Sequence, residues 1–151
     1  MISMLIQVFG AYVATVTAAL VVEAPRYTIN KAGWIGGMGY LVYLVVKPYS
    51  NAIVATLFAS IVITIMGQIF ARTFKAPVTI FYIPALFPLV PGIGIYKTAF
   101  YYINNNSNLS RHFFFETIMI AGAIALAIFI IDSVIEMYKF RQNKKDRPNI
   151  K

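Results

Sequence analysis

The sequence contains no cysteine, a single histidine (His112) and only five acidic residues among its 151. Without thiols there are no disulfides, no thiol catalysis and no cysteine-ligated metals. So few carboxylates and imidazoles leave little material for a metal site or a catalytic triad. No nucleophile–base pair is recognisable either. We therefore expect no enzymatic activity and no metal or organic cofactor.

Charge of either sign is also scarce, at 12% of residues, whereas 60% are hydrophobic and the mean hydropathy is +0.73. A soluble domain is nearer 45–50% apolar. The excess lies in long uncharged runs. The composition therefore predicts an all-α integral membrane protein, with residues 1–151 forming a single transmembrane domain.

Five transmembrane helices are predicted, since about 20 apolar residues cross the ~30 Å hydrocarbon core of a bilayer. Their approximate bounds are residues 2–22, 27–46, 52–71, 77–103 and 113–138. The apolar part of the second is short, but Gly33 and Gly37 have the spacing that favours close packing of membrane helices. Between the last two spans, residues 104–110 are rich in asparagine and predict a solvated loop.

The basic residues predict the orientation, because cytoplasmic loops are enriched in lysine and arginine. With five crossings, loops 26–31 and 72–75 share one side with the basic tail 139–151, and the other side holds only Lys47 and Arg111. The N-terminus is then outside and the C-terminus cytoplasmic. A re-entrant fourth segment would give four crossings and break this agreement. We expect the tail to contact anionic lipid headgroups, not nucleic acid.

The fourth span is apolar, but it is broken by three prolines and two glycines, at Pro84, Pro88, Pro91, Gly92 and Gly94. Each proline lacks an N–H, so the carbonyls of Ile80, Pro84 and Phe87 would lose their helical partners. Such groups persist at membrane depth only when packed in protein or facing a watery cavity. A broken membrane helix is typical of a transporter's substrate site. The alternative is a proline-kinked helix that serves packing alone.

The helix is expected to restart near Ile95, with a partly positive N-terminus suited to a carboxylate. Lys97 would lie in its first turn, where a bound anion would relieve its conflict with the helix dipole. Alternatively, Lys97 reaches to a headgroup or water. Tyr96 and Thr98 supply hydroxyls nearby, although Tyr96 could instead be interfacial. These three residues join the prolines and glycines as predicted substrate-binding residues.

Asp132 and Glu136 are four residues apart and share a face of the fifth predicted helix. A carboxylate within a span is a functional candidate, so Asp132 is a candidate proton carrier. The alternative is a pair of acids at the headgroups, which we favour for Glu136. Glu116 is expected to pair with Arg111 or His112 near the outer interface.

Several motifs resemble one membrane-protein family. The run IPALFPLVPG at residues 83–92, followed by Tyr96, resembles the proline-rich signature of the C-terminal half of the threonine/serine exporters. Residues at five further places resemble the second-helix pattern of that family: the Ala24-Pro25-Arg26 run, Trp34, Gly36, Gly39 and Tyr43. The resemblance covers nearly the whole chain, which has about the length of the small split subunits of the two-subunit exporters.

This resemblance implies an exporter of small hydroxy amino acids in the bacterial inner membrane, working with a separately encoded companion subunit. Some split pairs are linked to dicarboxylates such as succinate, which leaves the substrate open. Gradient coupling, to protons, would drive efflux. A different hypothesis is a membrane scaffold without transport activity, whose small-residue helix faces would serve assembly or self-association.

Overall fold

The described part of the chain, residues 2–145 of a computed structural model, folds into α-helices and short 3₁₀ turns and contains no strand. The α-helices are α1 (Ile2–Val21), α2 (Arg26–Val46), α3 (Ala52–Phe74), α4 (Thr79–Leu86), α5 (Gly92–Ile103) and α6 (Ser107–Lys145). The 3₁₀ turns, Lys47–Tyr49 and Phe87–Leu89, follow α2 and α4. The described part is thus all-helical in class, as predicted.

Three of these helices, α1, α3 and α6, are long and apolar enough to cross a membrane. The segments Thr79–Leu89 and Gly92–Ile103 are bent by 45° and make a fourth candidate if they form one span. Helix α2 has 21 residues but is less apolar, because its glycines and the basic residues of its first turns lower its mean hydropathy. The count of five membrane helices therefore stays a prediction.

The connections between helices are short because three chain reversals use a left-handed residue. Glu23, Lys75 and Asn105 have φ of 55°, 51° and 55°. In each case the following amide donates to the carbonyl five residues earlier, at 2.9–3.0 Å, which is the Schellman closure of a helix. The pairs are Ala24 to Ala19, Ala76 to Ala71, and Asn106 to Tyr101.

The third reversal makes the loop before α6 shorter than predicted. Helix α6 begins at Ser107, so only residues 104–106 remain outside helices. The Asn106 side-chain oxygen accepts the Leu109 N–H at 3.3 Å, and this cap explains the early start. The same helix runs on into the predicted tail as far as Lys145. Residues 146–151 of that tail lie outside the described part.

Glycines on α2 allow two neighbouring helices to approach it closely. A Cβ at Gly36 would collide with Thr15 of α1, and one at Gly39 would collide with Ile63 of α3. Helix α2 also contacts α4, while α6 packs against α3 and α5 packs against α6. The hydrophobic core lies among α2, α3 and α4, and Phe81 is fully buried within it.

Substituting Gly39 with alanine tests this packing. The added Cβ would overlap the fully buried Ile63 side chain, so we expect the free energy of unfolding to fall by about 1–2 kcal/mol. Gly122→Ala is the matched control, since nothing lies within 4 Å of its Cβ position. There the better helix propensity of alanine should raise stability by about 0.5–1 kcal/mol. Thermal unfolding in detergent measures both; equal shifts in the same direction would contradict the packing.

Candidate substrate-binding site

The break between α4 and α5 pairs two of the carbonyls that were expected to be free. The helix tightens to 3₁₀ geometry after Leu86. The Phe87 N–H donates to the Pro84 carbonyl, and the Val90 N–H donates to the Phe87 carbonyl at 3.3 Å. The shift from i+4 to i+3 bonding therefore satisfies oxygens that a continuous helix would orphan. The expectation that three carbonyls would lack partners was wrong for Pro84 and Phe87.

Helix α5 starts earlier than expected, at Gly92 instead of near Ile95. Pro91 is the residue before its first turn, and the Ile95 N–H already donates to the Pro91 carbonyl at 3.2 Å. Lys97 consequently lies in the second turn. The dipole conflict expected for a first-turn lysine is weaker there, because the effect falls off within one turn.

A cavity of about 440 Å³ opens beside the break. It lies where the end of α2, the start of α3, the break, α5 and the first part of α6 meet. Its polar and charged lining residues are Tyr40, Tyr43, Lys47, Thr56, Lys97, Glu116 and Thr117. A cavity of this size is in the range of small-molecule sites.

The cavity carries both signs of charge. The Lys97 ammonium lies 4.8 Å from the centre of the Phe113 ring, and the Lys47 ammonium 5.3 Å from that of Tyr43. Both rings belong to the lining, so aromatic faces stabilise both cations there. Glu116 lines the same cavity from α6 and contributes the acid. This arrangement can bind a carboxylate and an ammonium group at once.

The structure brings four of the predicted binding residues to this cavity: Pro88, Pro91, Gly94 and Lys97. A Cβ at Gly94 would collide with the Thr117 hydroxyl oxygen, so glycine lets α5 approach α6 at the cavity wall. This close approach sets the distance between the break and the polar face of α6.

The other four predicted binding residues do not line the cavity. Pro84 is fully buried inside α4 and has a packing position. Gly92 is exposed, and Tyr96 is exposed and stacks on Phe100 with ring centres 6.0 Å apart. The Thr98 hydroxyl donates to the Gly94 carbonyl at 2.8 Å, and its side chain lines a separate groove between α5 and α6.

Asp132 lies away from the cavity, four turns further along α6 than Glu116. Its carboxylate accepts a hydrogen bond of 2.6 Å from the Gln68 amide of α3. Asp132 is half-buried, whereas Glu136 one turn later is exposed. The two acids therefore differ in burial and in hydrogen bonding, although their spacing puts them on one face of the helix.

Sequence reasoning missed most of the polar wall, and one signal could have found part of it. Because α5 and α6 are antiparallel around a short loop, residues equally far from Asn105 face each other. Lys97 and Phe113 are each eight residues from it, and they are in contact. The same register brings Glu116 and Thr117 next to the break. For the tyrosines of α2 and for Thr56 no such local signal exists.

Within residues 2–145, no group of three or more histidine, aspartate or glutamate side chains could hold a metal ion. The polar groups in the cavity lining are hydroxyls, two lysines and one carboxylate, a set suited to organic ions.

Comparison with known proteins identifies the family. The family model described as "Threonine/Serine exporter, ThrE" matches residues 7–134, which include all six helices in whole or in part. No curated protein and no solved structure matched. Membership implies a multi-pass membrane transporter with a non-enzymatic role, in agreement with the apolar helices. The chain belongs to the threonine/serine exporter family.

Proposed function

We propose that this chain is one subunit of a secondary exporter of threonine and serine, acting with a companion subunit in the bacterial inner membrane. The observation that carries this proposal is the cavity at the break, which combines lysines and a glutamate with several hydroxyls. Secondary transporters bind substrate where a membrane helix is discontinuous. The cavity would be the substrate path, and Asp132 the proton carrier.

The charges of the cavity match a zwitterion. Lys97 can bind the substrate carboxylate, and Glu116 on the facing helix can bind its ammonium group. Thr56, Thr117 and the two tyrosines offer hydroxyls for the substrate hydroxyl. A site that satisfies a substrate hydroxyl discriminates against analogues that lack it.

A dicarboxylate of the succinate type is the second candidate substrate. Lys47 and Lys97 supply two cations in the cavity, which supports this candidate. Glu116 opposes it, because a third carboxylate in the same cavity repels a dianion. The net charge of the lining does not exclude the dianion, so the preference for the amino acid rests on the family match and on the acid that can bind an ammonium group.

A companion subunit is supported by what the break leaves uncovered. Gly92 and Ile93 are exposed at the start of α5, and α5 contains no buried residue. Irregular backbone at membrane depth is tolerated only where protein or a watery cavity shelters it. A second subunit against α5 would provide that shelter and could complete the cavity.

The proposed orientation places the N-terminus outside and the C-terminus in the cytoplasm. It rests on the basic loops 26–31 and 72–75 and on the tail 139–151, which would contact anionic headgroups. In this orientation the connection between α2 and α3 lies on the outer side. Lys47 and the start of α3 line the cavity, so the cavity would open toward that side.

The test measures efflux of labelled threonine, serine and succinate from cells that express this chain, a candidate companion subunit of the same exporter family, or both. We expect threonine and serine efflux only when both are present. Succinate efflux alone would favour the second candidate. If the two subunits assemble in the membrane and no substrate leaves the cells faster, the transport proposal fails and the scaffold hypothesis stands.

A further inference from the structure

We propose that a buried polar stripe on α3 conducts protons between the cavity and Asp132, through water molecules held by its hydroxyls. The stripe consists of Thr56, Ser60, Thr64 and Gln68, hereafter the α3 stripe. This inference deepens the proposed function and rests on it, since it assigns the coupling route of the same exporter.

The α3 stripe runs along one side of the helix because its members are spaced by four residues. All four are buried, with exposed fractions of 2%, 0%, 0% and 8% in chain order. Twelve residues separate the first member from the last, a distance of about 18 Å along a helix. The stripe therefore covers more than half of the ~30 Å hydrocarbon thickness.

Both ends of the α3 stripe reach groups that the transport cycle needs. At one end Thr56 lines the cavity. At the other, the Gln68 amide donates to the Asp132 carboxylate at 2.6 Å. Tyr82 of α4 packs beside Gly67, the residue before Gln68 on α3. The nearest charged neighbours along α3 and α6 are Arg72 and Glu136, one turn further on and both exposed.

Ser60, in the middle of the stripe, distinguishes a route from ordinary packing. Its hydroxyl oxygen is fully buried and has no hydrogen-bond partner within residues 2–145. The neighbouring hydroxyls of Thr56 and Thr64 donate to the carbonyls of the preceding turn, each at 2.8 Å. A buried hydroxyl without a partner is unfavourable, and alanine would pack there at lower cost. A water bridging Ser60 to its neighbours would satisfy it.

The proposed step moves one proton and changes only O–H bonds. A hydronium at the cavity end gives its proton to the first water molecule of the row that the α3 stripe would hold. Each water passes one proton onward, and the last protonates the Asp132 carboxylate to a neutral acid. Release to the opposite side restores the carboxylate. Neither an oxidant nor a covalent intermediate is needed.

The test uses proteoliposomes that contain this chain with its companion. It compares threonine exchange at equal pH, which needs no net proton movement, with uptake driven by a pH gradient. In Ser60→Ala we expect gradient-driven uptake to fall about fivefold or more while exchange stays within about twofold of wild type. The thermal midpoint of unfolding should stay equal or rise, because an unpaired buried hydroxyl is removed.

Thr73→Val is the matched control. Thr73 is on the same helix and its hydroxyl donates to the Ile69 carbonyl at 2.9 Å, but it is exposed and lies off the stripe. It should leave both activities unchanged. Asp132→Asn should abolish gradient-driven uptake and retain exchange.

Two results would overturn the route while the proposed function stands: Ser60→Ala without any change, or equal losses of exchange and gradient-driven uptake. If the wild-type pair exchanges no threonine, the proposed function fails and takes the route with it.

Discussion

Lys97→Met is expected to reduce threonine export about 100-fold, because it removes the cation at the break that would bind the substrate carboxylate. A charge-assisted hydrogen bond contributes about 1.5–3 kcal/mol, which is roughly 10- to 150-fold in affinity. The loss should lie near the upper end, because Lys97 is half-buried and held over the Phe113 ring at 4.8 Å. Initial rates of labelled-threonine efflux measure the effect.

Methionine keeps the length and apolar stem of lysine, so assembly with the companion should be unchanged. Arg26→Gln is the control: Arg26 is exposed at the start of α2 and does not line the cavity. It should retain full export. A Lys97→Met variant that exports normally would remove the carboxylate-binding role of this lysine. Loss of assembly together with export would instead assign Lys97 to packing.

Glu116→Gln is expected to weaken threonine binding about 30-fold and to strengthen succinate binding. The substitution removes the acid that would pair with the ammonium group, while the amide nearly preserves the shape of the side chain. It also removes the charge that would repel a second carboxylate, so the two lysines could bind a dianion. Equilibrium binding of both labelled ligands to the purified pair measures the switch.

Glu136→Gln provides the control for this exchange, since Glu136 is an exposed acid on the same helix and lies outside the cavity. The Glu136→Gln variant should bind both threonine and succinate with unchanged affinity. Equal losses of both ligands in Glu116→Gln would show that Glu116 supports the cavity structurally and does not select the substrate by charge.

The sequence was sufficient for the all-helical class, and it indicated candidate helices and a candidate break from local features. These features depend on local causes: uncharged runs, prolines without an N–H, and asparagine-rich turns. The hydrogen bonding of the backbone at the break could not be predicted from such local features. A 3₁₀ turn at Phe87–Leu89 pairs the Pro84 and Phe87 carbonyls, and no composition rule chooses between that turn and open carbonyls.

The cavity needed tertiary information. Tyr96 and Thr98 were grouped with Lys97 because they are its neighbours in sequence, but adjacent residues on a helix point about 100° apart. Only Lys97 reaches the cavity. Glu116 was assigned to the outer interface as a partner of Arg111 or His112, and its place in the cavity lining follows only from the packing of α5 against α6.

The length of α6 has a mechanical consequence. With 39 residues it extends about 58 Å, nearly twice the ~30 Å thickness of the oily layer. A stiff rod of that reach acts as a lever: rocking it by about 10° around its middle would swing either tip by about 5 Å. Since α5 packs against the N-terminal half of this rod, a pull on the C-terminal half would widen or narrow the mouth beside Lys97 without bending any helix.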